Sequence, residues 1–97
     1  ISHSSHWYDW GCMNYSRFII DNPPEDQVEC IRLHNRIWNA GVRAAIANGG
    51  VINDHHGVGL KLGRLMKESY GPAMQVLQGI KKELDPNGIM NPYKMGL

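Results

Sequence analysis

No apolar run in the sequence approaches the ~20 residues a bilayer-spanning helix needs, and the first residues lack a basic-then-apolar leader pattern. A chain without a membrane span is expected. An excess of charge is missing as well: ten Lys and Arg stand against nine Asp and Glu, interspersed along the chain. That balance leaves no electrostatic footprint for nucleic acid or for an anionic membrane surface. Cysteine is scarce, with only Cys12 and Cys30. Two such residues among several apolar segments suggest reduced thiols rather than a disulfide framework, which favours a reducing, cytoplasmic setting. Length is limited too. A chain of 97 residues buries roughly 60–65% of the surface its unfolded form exposes, enough for one modest core. A dinucleotide-binding domain plus a substrate domain does not fit, so large-cofactor chemistry needs further polypeptide. The chain opens at Ile1 in the polar run Ile1–His6, which is expected to be a cut inside or beside a strand of a longer protein.

What is present reads as α+β. Tyr15, Phe18, Ile19 and Ile20 are strand formers, and Gly11 marks a bend before them, so a strand is predicted over residues 12–20. Two-residue alternation puts Met13, Tyr15, Arg17 and Ile19 on one face of it. Asn22-Pro23-Pro24-Glu25 has the chemistry of a helix start, with Asn22 as cap and Glu25 as capping-box acceptor. The helix is predicted to run to about Ala47. Its core stripe would be Val28, Ile31, Trp38, Val42 and Ala45, with Arg32, Arg36 and Arg43 solvated. Asn48-Gly49-Gly50 ends it, and Val51-Ile52 begins a short extended run. A polar loop, residues 53–59, separates that run from a short helix over Leu60–Ser69. Ala73, Val76, Leu77, Ile80 and Leu84 then mark an amphipathic helix closed by the turn Asp85-Pro86-Asn87-Gly88. Strand, helix, strand and then helices suggest a partial ferredoxin-like unit, half of a split βαβ sandwich whose remaining strands lie outside the chain.

Chemistry concentrates in the loop. His55-His56 is an adjacent pair of imidazoles, the side chain that titrates near neutrality and suits proton transfer. Gly57 and Gly59 would let a planar ligand approach the backbone. The plainer alternative is a turn in which both rings bond to backbone. Gly57-Val58-Gly59 is too short for a phosphate cradle. His3 and His6, with Asp54, His55 and His56, offer nitrogen and oxygen donors, but no zinc-site spacing supports them, and no metal site is assigned. Tyr15 could donate to a substrate oxygen or act as a base. Arg17 on the same face could pair with a carboxylate or phosphate.

Gly49-Gly50, His55-His56-Gly57-Val58-Gly59, the helix ending Leu84-Asp85-Pro86-Asn87-Gly88-Ile89 and the closing Asn91-Pro92-x-Lys94 follow in order. Together they resemble the C-terminal part of the FAD-linked oxidases, flavoproteins of the vanillyl-alcohol-oxidase type. The resemblance implies FAD as cofactor, bound by an N-terminal portion of the same protein absent from this chain. It divides the chain into a cap strand–helix–strand with the histidine loop, residues 1–59, and C-terminal helices with a tail, residues 60–97. Members acting on D-2-hydroxy acids carry metal-binding histidines and a glutamate; those positions fall here at Tyr8, Tyr15 and His55. The implied activity is oxidation of a CH–OH group of a small hydroxy substrate, with a homodimer left open.

In that implied site His55, His56 and Tyr15 are catalytic, and Tyr8 and Arg17 bind substrate. Gly57, Gly59 and Asn91 face the cofactor. Tyr8-Asp9-x-Gly11, Tyr15 and the later His-His-Gly-Val-Gly look closest to the alkylglycerone-phosphate-synthase-like branch, whose flavin exchanges an acyl for an alkyl group without net oxidation. That branch has three histidines before the glycine, and here the first is Asp54. In the branch's chemistry Tyr15 would remove the proton, which calls for a nearby cation such as Arg17. A non-catalytic ferredoxin-like binding module is the contrasting reading.

Overall fold

The computed structural model describes residues 1–97. The chain forms two compact units, Ile1–Ala44 and Ala45–Leu97. The coarse α+β expectation is met by one two-stranded antiparallel sheet followed by helices.

In the first unit β1 (Ser2–Tyr8) and β2 (Gly11–Ser16) form a hairpin across Asp9-Trp10. Ser2 pairs with Ser16, His3 with Tyr15 and Tyr8 with Gly11, and the register shifts between Ser5 and Trp7. His6 is the extra residue there, with φ of 50°, as a bulge requires of one strand. The polar opening segment is thus a full strand, stitched by the Ser2 hydroxyl donating to the side-chain Oδ1 of Asn14. The strand predicted over 12–20 is corrected to Gly11–Ser16. The last inter-strand bonds join Arg17 N–H to Ile1 O (2.8 Å) and the Ile1 backbone nitrogen to Arg17 O (3.1 Å). Phe18 leaves the ribbon, and its ring edge would lie 3.2 Å from a Cβ at Gly41. The absence of a side chain at Gly41 is what lets that ring close on the helix.

Helix α1 (Gln27–Ala47) starts later than the Asn22 cap predicts. Pro24 disfavours helical backbone at Pro23, and the cap falls to Asp26 instead. Its carboxylate accepts from Glu29 N–H at 2.8 Å, and its carbonyl accepts from Cys30 N–H at 2.9 Å. Such a cap contributes about 0.5–2 kcal/mol. The stripe is also corrected: Val28 and Ile31 are 54% and 60% exposed. The half-buried line runs through Cys30, Leu33, Ile37, Trp38, Val42 and Ala45, and Arg32, Arg36 and Arg43 are solvated as expected.

The end of α1 follows the sequence. Gly50 N–H donates to Ala45 O at 2.8 Å and Gly49 N–H to Ile46 O at 3.0 Å, with Gly49 at φ 75°. This is the paired 6→1 and 5→2 bonding of a glycine-terminated helix. Val51-Ile52 is not a strand; the sheet has two strands, both in the first unit, and an extended dipeptide without a neighbour has no ladder to join.

The core of the second unit is Leu62, Leu65, Met66 and Met74. The short helix expected over Leu60–Ser69 resolves into a 3-10 turn, Gly63–Leu65, and α2 (Met66–Tyr70). Helix α3 (Ala73–Leu84) has its predicted bounds but not its predicted inward face. Val76, Ile80 and Leu84 are 65%, 52% and 78% exposed, while Met74 and Asp85 are buried. Burying each of the three exposed side chains would contribute roughly 1.5–3 kcal/mol, so this stripe leaves substantial apolar stabilisation unclaimed.

Asp85 closes α3. Its carboxylate accepts from Ile89 N–H at 3.0 Å and Met90 N–H at 2.9 Å, and from the Lys81 ammonium, which also donates to Met90 O. The Lys81 hydrogen bond, aided by the two amides and opposed by desolvation, holds the carboxyl below its ordinary value of 3.8. Beyond it Asn91, Tyr93 and Met95 take left-handed backbone, φ 47°, 64° and 59°. Side chains rarely adopt this, at about 1–2 kcal/mol per residue. The segment is tied by Met95 N–H to Gly59 O at 3.0 Å, and Gly96 lies against Gly63.

Two expectations follow from this packing. A carboxyl whose pKa is lowered on folding stabilises above its unfolded value and loses that contribution as pH falls through the folded one. Asp85→Asn should therefore lower the unfolding temperature at pH 7 and flatten the acid dependence below about pH 4, read by circular dichroism across a pH series. Gly96→Ala puts a methyl 2.5 Å from Gly63 O at φ 78° and should cost about 1–3 kcal/mol in a denaturant titration, whereas exposed Gly79→Ala should not.

Candidate functional site

The polar loop Asn53–Gly59 leaves the glycine-terminated end of α1 and runs into the buried Leu62–Met66 segment. Both ends are therefore anchored. Its far end is held by Met95 N–H on Gly59 O. Gly57 and Gly59 have φ of 77° and 54°, and a Cβ at either would meet nothing within 4 Å. Glycine is needed there for the turn, and it leaves the backbone bare on that side.

Neighbouring side chains on extended backbone diverge; in this turned loop they converge. The Nδ1 of His55 lies 2.8 Å from Oδ2 of Asp54. The rings of His55 and His56 are 4.2 Å apart between centroids, inclined at 64°. Beside the loop is a pocket of about 500 Å³ whose wall includes Ile46, Ile52, Asp54, Val58 and Tyr70. The arrangement offers a carboxylate-bonded imidazole, a second imidazole against it and an open strip of backbone. Such a group can orient a hydroxyl and take its proton.

The other expected residues separate by unit. In the first, Arg17 places its guanidinium carbon 5.4 Å from the centre of the Tyr15 ring, so these two do share a face. Tyr8 stacks on Trp10 with centroids 5.2 Å apart and planes 9° apart, at the hairpin end. In the second, Asn91 is exposed at the start of the left-handed tail. Two participants were not foreseen from the sequence. Asp54 stood out as a possible metal donor and as a departure from a histidine, not as a partner of His55, although an acidic residue beside a turn histidine is a recognisable signal. The tail's bond to Gly59 had no sequence signal, because it joins residues 36 positions apart through backbone alone.

Residues 1–95 match the family described as FAD linked oxidases, C-terminal domain. The chain belongs to that family. FAD is the cofactor this implies. The chain is 36% identical over 92 residues to the Uncharacterized FAD-linked oxidoreductase YgcU of Escherichia coli (strain K12), covering 92% of this chain and 19% of the relative. It is 38% identical over 73 residues to a Probable D-lactate dehydrogenase, mitochondrial, of Danio rerio, covering 74% and 14%. It is 28% identical over 94 residues to the Alkyldihydroxyacetonephosphate synthase of Trypanosoma brucei brucei, covering 96% and 15%. The chain thus spans under a fifth of the length of these relatives. No solved structure matches it. No helix is long and apolar enough to cross a membrane.

Proposed function

We propose that this chain is the C-terminal catalytic segment of an FAD-dependent oxidoreductase that acts on the CH–OH group of a small hydroxy substrate. The observation that carries the reading is the convergence of His55 and His56, 4.2 Å apart, on a loop whose glycines leave the adjoining backbone open. That bare strip fits the approach of a flat ring system; Gly57, Gly59 and Asn91 are the residues assigned to border it. FAD, when bound, supplies the hydride acceptor.

This chain's own residues handle the proton and the substrate. His56 takes the hydroxyl proton, and His55 orients His56 or the substrate. Tyr15 donates a hydrogen bond to the substrate oxygen. Arg17 pairs with an anionic group on the substrate, and Tyr8 forms part of its wall. The exposed apolar side chains Val76, Ile80 and Leu84 support packing against the N-terminal FAD-binding portion of the same protein, since monomers rarely leave such a stripe open. The hairpin and α1 are read as half of a ferredoxin-like split βαβ sandwich completed by strands from that portion. The unpaired cysteines Cys12 and Cys30 accord with a reducing, cytoplasmic setting.

A second reading has support of its own. The guanidinium carbon of Arg17 lies 5.4 Å from the centre of the Tyr15 ring, so a cation shares the face of the side chain that this second chemistry would use. This accords with redox-neutral alkyl transfer of the kind the trypanosomal relative's name denotes. In that chemistry Tyr15 removes the proton and the histidines bind.

Full-length protein separates these readings. Under the first, D-lactate bleaches the flavin, and His56→Ala slows bleaching by about 10²–10⁴-fold, the usual contribution of proton transfer, with FAD content unchanged. Under the second, D-lactate leaves the flavin oxidised, and Tyr15→Phe abolishes alkyl exchange. A full-length protein that purifies without flavin overturns both.

A further inference from the structure

We infer that Asp54 is a positioning residue that fixes the tautomer of His55, so that Asp54, His55 and His56 act as one proton-handling unit. This rests on the functional reading of the two histidines and adds to it a member neither assigned nor expected.

The geometry carries the inference. At 2.8 Å the Asp54 Oδ2–His55 Nδ1 contact has the length of a charge-assisted hydrogen bond. A carboxylate only accepts, so the shared proton sits on Nδ1, and the neutral form of His55 bonded in this way carries its lone pair on Nε2. The imidazole therefore presents a base at one defined nitrogen. Asp54 is the more covered partner, with its side chain 28% exposed against 46% for His55, and it also lines the pocket beside Val58 and Tyr70. The edge-inclined contact between the His55 and His56 rings, at 64°, means that fixing one ring restricts the other.

The backbone makes this convergence specific. Three consecutive side chains meet only on a turned segment, and Gly57 at φ 77° closes that turn. A histidine in place of Asp54 could not accept from Nδ1 while charged, and when neutral it would bond without the electrostatic bias toward one tautomer.

The test uses full-length, flavin-loaded protein labelled with ¹⁵N-histidine, with the His55 signals assigned from a His55→Gln variant. At pH 8.5, where imidazole is neutral, wild type should show His55 protonated at Nδ1 alone. Asp54→Ala should give a mixture of tautomers. Asp54→Asn, whose amide can turn its NH₂ toward Nδ1, should shift the balance toward protonation at Nε2. Flavin bleaching by D-lactate should slow about tenfold or more in Asp54→Ala, a part of the proton-transfer contribution, and Asp54→Glu should recover most of it. A His55 tautomer unmoved by Asp54→Ala overturns the inference whatever the rates do. If the tautomer moves but His55→Gln and His56→Ala both bleach at the wild-type rate, the functional reading fails while the Asp54–His55 bond stands.

Discussion

The second unit depends on one buried carboxylate. Asp85 ends α3 and accepts two amides from the turn beyond it, and Lys81 one helical turn earlier neutralises its charge. Without that arrangement the amides of Ile89 and Met90 would face a covered side chain with nothing to accept them. A hydrogen bond to a charged acceptor of this kind contributes about 1.5–3 kcal/mol at most, less where water can compete. The turn in turn delivers the left-handed tail, whose Met95 amide holds Gly59 at the end of the histidine loop. One end of the histidine loop is thus linked, through the tail, to a carboxylate more than 25 residues away in sequence.

Much of this could be read from residue types where the physics is local. Asn48-Gly49-Gly50 ends α1 as glycine's backbone freedom demands, and Asp85–Gly88 ends α3 where its turn chemistry says it should. Local competition also explains one miss. Asn22 and Asp26 are both adequate caps, and the proline pair decided between them. The larger misses are tertiary. Apolar spacing shows that α3 has two unlike faces but not which one finds a partner, and Met74, Leu77, Lys81 and Asp85 face the unit's interior while the more apolar stripe does not. Strand propensity pointed to Phe18–Ile20, yet the ladder stops at Arg17 and the polar segment Ser2–Tyr8 pairs instead. Pairing depends on a neighbour more than on side-chain preference.

The site shows the same division. The histidine pair and its glycines were legible as residue types in order, and membership of the FAD-linked oxidase family accounts for that order. The contact between Asp54 and His55 was not, because adjacency in sequence does not place side chains together. It took the turned backbone of this loop to do so. Where a carboxylate meets an imidazole this way, an aspartate in place of a histidine puts an acceptor beside the ring nitrogen instead of a third imidazole.

The extra residue in β1 has its own consequence. Side chains on a strand alternate sides with a period of two, so the insertion at His6 offsets Trp7 and Tyr8 by one step relative to Ser2–Ser5. Without His6, plain alternation would already set Trp7 opposite Cys12 and Tyr8 opposite Gly11, the partners they have now. The extra residue therefore adds local bend and twist without turning the aromatic tip over, so this strand can gain or lose it in the course of divergence and keep Tyr8 and Trp10 on their present side.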